Sequence, residues 1–180
     1  MRLALVFPLL LLASACQPPA ADEYVERTRI ASGREAPMEP IDSPDTGDAV
    51  WAQAESGDKL LFGNPGETPF FALECAEAQV RYTRYVAADP HAKAILALIG
   101  NGHVARLKID ATKVGEAWLW QGSVPADDPG LEGLGGARQV EATVPGAGSL
   151  MLKPSRLPGD LIDRCAASAQ PAPSPPAVPE

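Results

Sequence analysis

Three cysteines carry the most reactive chemistry in this sequence, each in a different setting. Cys16 follows the small residues Ala13-Ser14-Ala15, Cys75 ends the stretch FFALEC, and Cys165 ends LPGDLIDRC. The other groups able to act are sparse. His91 lies beside Pro90 and His103 opens an apolar stretch, and neither has a serine or cysteine partner nearby in sequence, so nucleophilic catalysis lacks its usual base–nucleophile pairing. With no CxxC and no ligand spacing between the two histidines, the sequence offers no zinc site. Motifs for a strained nucleophile, a phosphate cradle, a metalloprotease helix or a dinucleotide fold are absent as well. The carboxylates Asp127-Asp128, Glu74 and Glu77 read as a solvated face, although distant acids paired by the fold could still do acid–base work. The expectation is therefore a non-enzymatic chain with no catalytic residue, no metal and no small-molecule cofactor.

The setting of Cys16 is the most informative. Met1-Arg2 is a short positive start, and Leu3 to Leu12 is an apolar run broken only by Pro8. About ten residues are too few for the roughly 20 that span a bilayer, but they suit the apolar region of a secretory signal. The join Leu12-Ala13-Ser14-Ala15-Cys16 resembles the lipobox of bacterial lipoproteins, in which cleavage precedes the cysteine and its thiol takes diacylglycerol, with palmitate a further acyl group. That resemblance implies a signal peptide over 1–15 and a lipid bilayer as the partner of acylated Cys16. An ordinary signal cleaved after Ala15, leaving Cys16 a free thiol, is the competing reading. Gln17 after the cysteine, by resemblance to Gram-negative sorting, implies the inner leaflet of the outer membrane, with the protein facing the periplasm.

Removing Met1 to Ala15 takes away Arg2 alone, so the 15 basic residues become 14 against 23 acidic, a net charge of −9. Such a chain has no basic stripe to neutralise phosphates, which excludes nucleic acid as a partner. It favours cationic partners, chiefly through association rate. In an oxidising envelope, the remaining Cys75 and Cys165 are expected to form one disulfide.

The cysteines need elements to position them. Residues 16–49 are rich in Pro, Ala, Asp and Glu and read as a lipid-anchored flexible linker; residues 166–180 (AASAQPAPSPPAVPE) read as a proline-rich disordered tail. Between them, 50–165 reads as one β-rich domain. Lys59 to Phe62 leads into the turn Asn64-Pro65-Gly66. Phe71, Leu73 and Cys75 share one face, and Val80, Tyr82, Arg84 and Val86 alternate. Ala94–Ile99 and Val104–Ile109 flank Asn101-Gly102, a strong hairpin signal; a short helix capped at Asp89-Pro90 competes for the first of these. Glu116–Gln121, Arg138–Val144 and Ser149–Leu152 are further strands. Asp127 to Leu134 could form one helical turn, and Leu157–Cys165 a short terminal helix. Seven or eight short strands predict a mainly β fold, a small antiparallel sandwich or barrel with a short C-terminal helix, flanked by disordered segments.

The segment from Asp128-Pro129 through Val144-Pro145-Gly146 to Cys165, together with Phe71-x-Leu73-x-Cys75, resembles a group of small alphaproteobacterial envelope lipoproteins with a two-cysteine β-domain. This implies the fold and the disulfide and no activity. Trp118 and Trp120 project to one face of their strand: that face is either core or, with Gln121, an aromatic patch for a periplasmic protein partner. WLWQG is also similar to the Trp-rich strand of membrane-bound c-type lysozyme inhibitors, with Gln121 where that family has lysine and without its Ser-Gly…Tyr loop. Two functions follow: an envelope lipoprotein with a binding or structural domain, or an inhibitor of c-type lysozyme.

Overall fold

A computed structural model describes residues 39–168. The expected signal peptide, the lipid-attachment residue Cys16, the linker as far as residue 38 and the tail from residue 169 lie outside them. The described chain forms β1 (Val50–Gln53), β2 (Lys59–Gly63), β3 (Phe71–Ala76), β4 (Gln79–Ala87), β5 (Lys93–Gly100), β6 (His103–Val114), β7 (Ala117–Pro125), a 3₁₀ turn (Pro129–Gly135), β8 (Val140–Thr143), β9 (Ser149–Leu152) and helix α1 (Leu157–Ser168). All strand pairs are antiparallel, in the order β1-β2-β3-β4-β7-β6-β5-β8-β9. The result is one curled half-barrel sheet, not two stacked sheets.

Local sequence explains most of it. Asn101 and Gly102 both adopt positive φ, 53° and 84°, the backbone of a tight two-residue hairpin turn. They set the register Gly100↔His103 through Lys93↔Asp110. Along β6 the alternation places Ala105, Leu107, Ile109 and Ala111 in the core and leaves Val104, Arg106 and Lys108 exposed. The competing helix at Asp89-Pro90 does not form. Ala92 N–H closes a turn on Asp89 O at 3.1 Å, and β5 starts directly after it.

Three departures from the sequence reading have physical causes. The described residues form nine strands because Val50–Gln53, which has no alternation to betray it, pairs with β2 from Val50↔Gly63 to Gln53↔Leu60. The folded part also begins before Val50: Ala49 is fully buried, Ile41 N–H donates to Gly146 O at 2.9 Å, and Ser43 Oγ accepts Ser149 N–H at 2.9 Å. Acidic, proline-rich composition does not prevent docking when backbone partners are provided. Finally, α1 runs past Cys165 to Ser168, so 166–168 belong to the helix and not to the tail.

The inner face holds the core, including Leu60, Phe62, Phe71, Leu73, Leu96, Leu98, Ile109, Trp120, Leu150 and Leu152. Each such side chain contributes roughly 1.5–3 kcal/mol on burial. No helix among the described residues is long and apolar enough to cross a membrane.

The ladder between β6 and β7 stops at Asp110↔Gln121. Beyond it β7 stays on β4 as far as Gln79↔Pro125, while β6 stays on β5. The sheet therefore splits. Tyr82 fills the split, its hydroxyl donating to Lys108 O at 2.6 Å. Gly122 sits at the same point because a Cβ there would collide with both that carbonyl and the Tyr82 ring.

Candidate functional site

The split end of the half-barrel is where separate elements converge. The 3₁₀ turn begins as its residues dictate: Asp128 caps it, accepting Gly130 N–H at 2.7 Å, and Pro129 follows, where a missing N–H is harmless. Leu131 and Leu134 point into the core and anchor the turn. Its far side is tied to the β5–β6 hairpin by Asn101. The Asn101 amide donates to Gly133 O (2.7 Å) and Arg138 O (3.1 Å), and its oxygen accepts Arg138 N–H (2.8 Å). Helix α1 lies against the turn through two glycines, where a Cβ on Gly159 would come within 3.2 Å of the Gly135 Cα. Leu161 and Cys165 face inward, and the Cys75–Cys165 disulfide (Cα–Cα 5.6 Å) fixes the helix to β3 across 90 residues of sequence.

Between the turn and α1 lies a groove of about 580 Å³. Its charged rim is Asp127, Asp128, Glu132 and Asp163, with His103 and Asn101 at the hairpin side and Leu131, Ile162 and Ala166 supplying apolar wall. No lysine or arginine among the described residues lines it. His103 Nδ1 stands 3.4 Å from Glu132, both largely exposed. Carboxylates concentrated in a concavity with apolar walls give a focused negative potential, the electrostatic complement of a cation. Nor does any serine, threonine, cysteine or tyrosine among the described residues line this groove; its reactive groups are the four carboxylates and His103. Among the described residues, no three His, Cys, Asp or Glu side chains are placed to hold a metal ion.

The acids also act inward. Burial, then the charges of Asp128 and Asp110, push the Tyr82 hydroxyl up from its ordinary 10.0 to about 12. The phenol stays protonated and keeps its bond to Lys108 O.

The opposite end is built differently. Arg84, only 3% exposed, points into the core and donates to Phe70 O (3.0 Å) and Ala147 O (3.2 Å), while its Nε has no partner among the described residues. Desolvation lowers its pKa to about 10, which leaves it charged at neutral pH.

The sequence-derived residues distribute as follows. Cys75 and Cys165 are joined. Trp118 and Trp120 do share a face, and that face is the inner one. Trp120 is 7% exposed in the core beside Arg84, its register partner on β4. Trp118 is half-buried at the rim, edge-to-face with His91 at a ring-centroid distance of 4.7 Å. Gln121 lies on the outer face, bound to Thr83 Oγ1 at 3.1 Å. Trp120 thus offers little ring surface to a partner, and Gln121 lies on the opposite face from the two tryptophans. What sequence reasoning missed is the groove itself. Asn101 was legible as a turn residue but not as the tie holding the rim, and Asp163 gave no local signal.

Comparison with protein-family models, curated proteins and solved structures gives no match for this chain. The chemistry of the groove therefore has to stand on its own geometry.

Proposed function

We propose that this chain is a lipid-anchored protein of a bacterial cell envelope, held by Cys16 at the outer membrane and facing the periplasm. Its β-domain is a non-enzymatic binding module that takes a cationic segment of a protein partner in the acidic groove. The single observation that carries the binding role is the groove between the 3₁₀ turn and α1, where, among the described residues, four carboxylates and no lysine or arginine surround an apolar wall. The anchor rests on the residues around Cys16, and the acidic net charge is consistent with a cationic partner.

The test is titration of the chain from Cys16 onward with an extended lysine- and arginine-containing peptide. Weak, salt-sensitive binding is expected, and Asp127→Asn with Asp163→Asn should reduce it by about tenfold, since exposed charge pairs contribute up to about 1 kcal/mol each. Equal affinity of the double variant, or turnover by the purified chain, would sink the proposal. Mass spectrometry of envelope-purified protein tests acylation at Cys16 separately.

Inhibition of c-type lysozyme is a second reading. It is supported by the acidic concavity at a disulfide-linked end, no longer by the tryptophans. Lysozyme activity unchanged by micromolar chain ends it.

A further inference from the structure

The outer face of the half-barrel carries an ordered arrangement that the groove does not use. Strand register places Val104, Ile99, Glu141 and Met151 in one row across β6, β5, β8 and β9, and Arg106, Ala97, Thr143 and Ser149 in the next. A third row pairs Lys108 with Ile95. Four of the six large hydrophobic residues exposed among those described, Ile95, Ile99, Val104 and Met151, lie on this one face. Such residues scattered singly need no explanation, but clustering does. Val104 is the most exposed of all six, at 59%. Arg106 and Lys108 stand beside them, exposed and in no ion pair with another described residue; Lys93, one row further, is held by Asp110 at 3.0 Å. The facing acid, Glu141, is engaged by Thr143 Oγ1 at 3.1 Å. On a molecule with a large acid excess, this is a face that couples unpaired cations to exposed apolar side chains.

The size of the face limits what it fits. Four adjacent strands are about 15 Å from first axis to last, and Ile95 to Ile99 runs about 14 Å. That is a few hundred Å², well short of the roughly 800 Å² each partner gives to a stable protein interface. A second copy held by this face alone would not stay bound. A weak contact suffices, however, for a surface near which the chain is already tethered, because tethering replaces affinity with effective concentration.

We propose that the outer face of β5, β6, β8 and β9 rests on an anionic lipid surface, with Arg106 and Lys108 at the head groups and Ile95, Ile99, Val104 and Met151 at the interfacial layer. The inference rests on the anchored reading above, and its test is made independent of that reading by chemical coupling. The chain from Cys16 onward, with Cys75 and Cys165 in their disulfide, is coupled through Cys16 to maleimide-headgroup lipid in vesicles. A tryptophan reporter is introduced by Val104→Trp at the face, or by Glu55→Trp in the exposed β1–β2 turn as control. With phosphatidylglycerol present, the V104W emission is expected to shift to the blue and to be quenched by brominated acyl chains, while the E55W emission is not. Reversing both cations, Arg106→Glu with Lys108→Glu, should weaken that quenching by about tenfold or more, and salt should weaken it as well. An unshifted V104W spectrum on anionic vesicles overturns the proposal, as does equal quenching of E55W. A blue shift that appears without vesicles, together with a doubled mass by light scattering, would assign the face to self-association and overturn it too. Failure to find natural acylation at Cys16 would remove the anchor while leaving this surface measurement intact.

Discussion

The two ends of the half-barrel solve the same problem with different materials. At the split end, closure comes from a helix fixed by the Cys75–Cys165 bond, a capped 3₁₀ turn and the three hydrogen bonds of Asn101. At the other, a buried guanidinium gathers the carbonyls of Phe70 and Ala147 beneath the β2–β3 and β8–β9 loops. The first end satisfies its backbone with short-range caps and a covalent bond, and so leaves Asp127, Glu132 and Asp163 exposed around a groove. The second turns its one strong cation inward. Polar side chains not needed for closure are the ones available for recognition, which is why the groove, and not the Arg84 end, is the candidate site.

Breaking each end in turn should expose the difference. The largest effect is expected from Cys75→Ser with Cys165→Ser. Releasing a loop of 90 residues should lower unfolding free energy by about 4–5 kcal/mol on the chain-entropy account, read from guanidinium unfolding midpoints. A loss under about 1 kcal/mol would mean that Leu161 and the glycine contact hold α1 without the bond.

Arg84→Ala comes next, at about 2–4 kcal/mol from lost volume and the lost partner of Ala147 O. Phe70 O also accepts Tyr85 N–H at 3.0 Å, so it is not orphaned. Arg84→Met restores volume and removes the unpartnered Nε, and should recover more than half of that loss. Equal losses for both variants would show that the two carbonyl bonds outweigh packing.

The smallest effect concerns pH. Tyr82 is raised from 10.0 to about 12 in the fold. The folded chain therefore holds a proton that the unfolded chain gives up first. The contribution is fully present below pH 10 and is lost as pH rises towards 12. Tyr82→Phe should be less stable than the native chain below pH 10 and should lose less between pH 10 and 12. Parallel stability curves for the two would contradict the buried hydroxyl's role in the split.

How much of this could be read from residues follows from range. The Asn101-Gly102 hairpin, the Ser149–Leu152 strand and α1 are local patterns and were legible. The disulfide was legible because, with Cys16 expected to be taken by lipid, Cys75 and Cys165 have one way to pair. The strand Val50–Gln53 was not, since three of its four residues are exposed and its only inward anchor is Trp51, packed on Phe62 at 5.2 Å. Nor was the groove: Asp127 and Asp163 stand far apart in sequence, and only the packing of α1 on the 3₁₀ turn brings them to one rim. The outward or inward sense of WLWQG was also undecidable locally, because alternation fixes a shared face without saying which face is covered.

The seam between β1 and β9 has a consequence for the company this molecule keeps. Terminal strands of an open sheet ordinarily present unpaired amides that recruit strands from other chains. Here the Trp51 indole donates to Lys153 O at 3.0 Å, Lys153 reaches back to Gly47 O, and Ser43 takes the amide of Ser149. One amide of β9 and two carbonyls flanking the edge strands are thereby engaged within the chain, which shortens the stretch of rim that could recruit a strand from another copy.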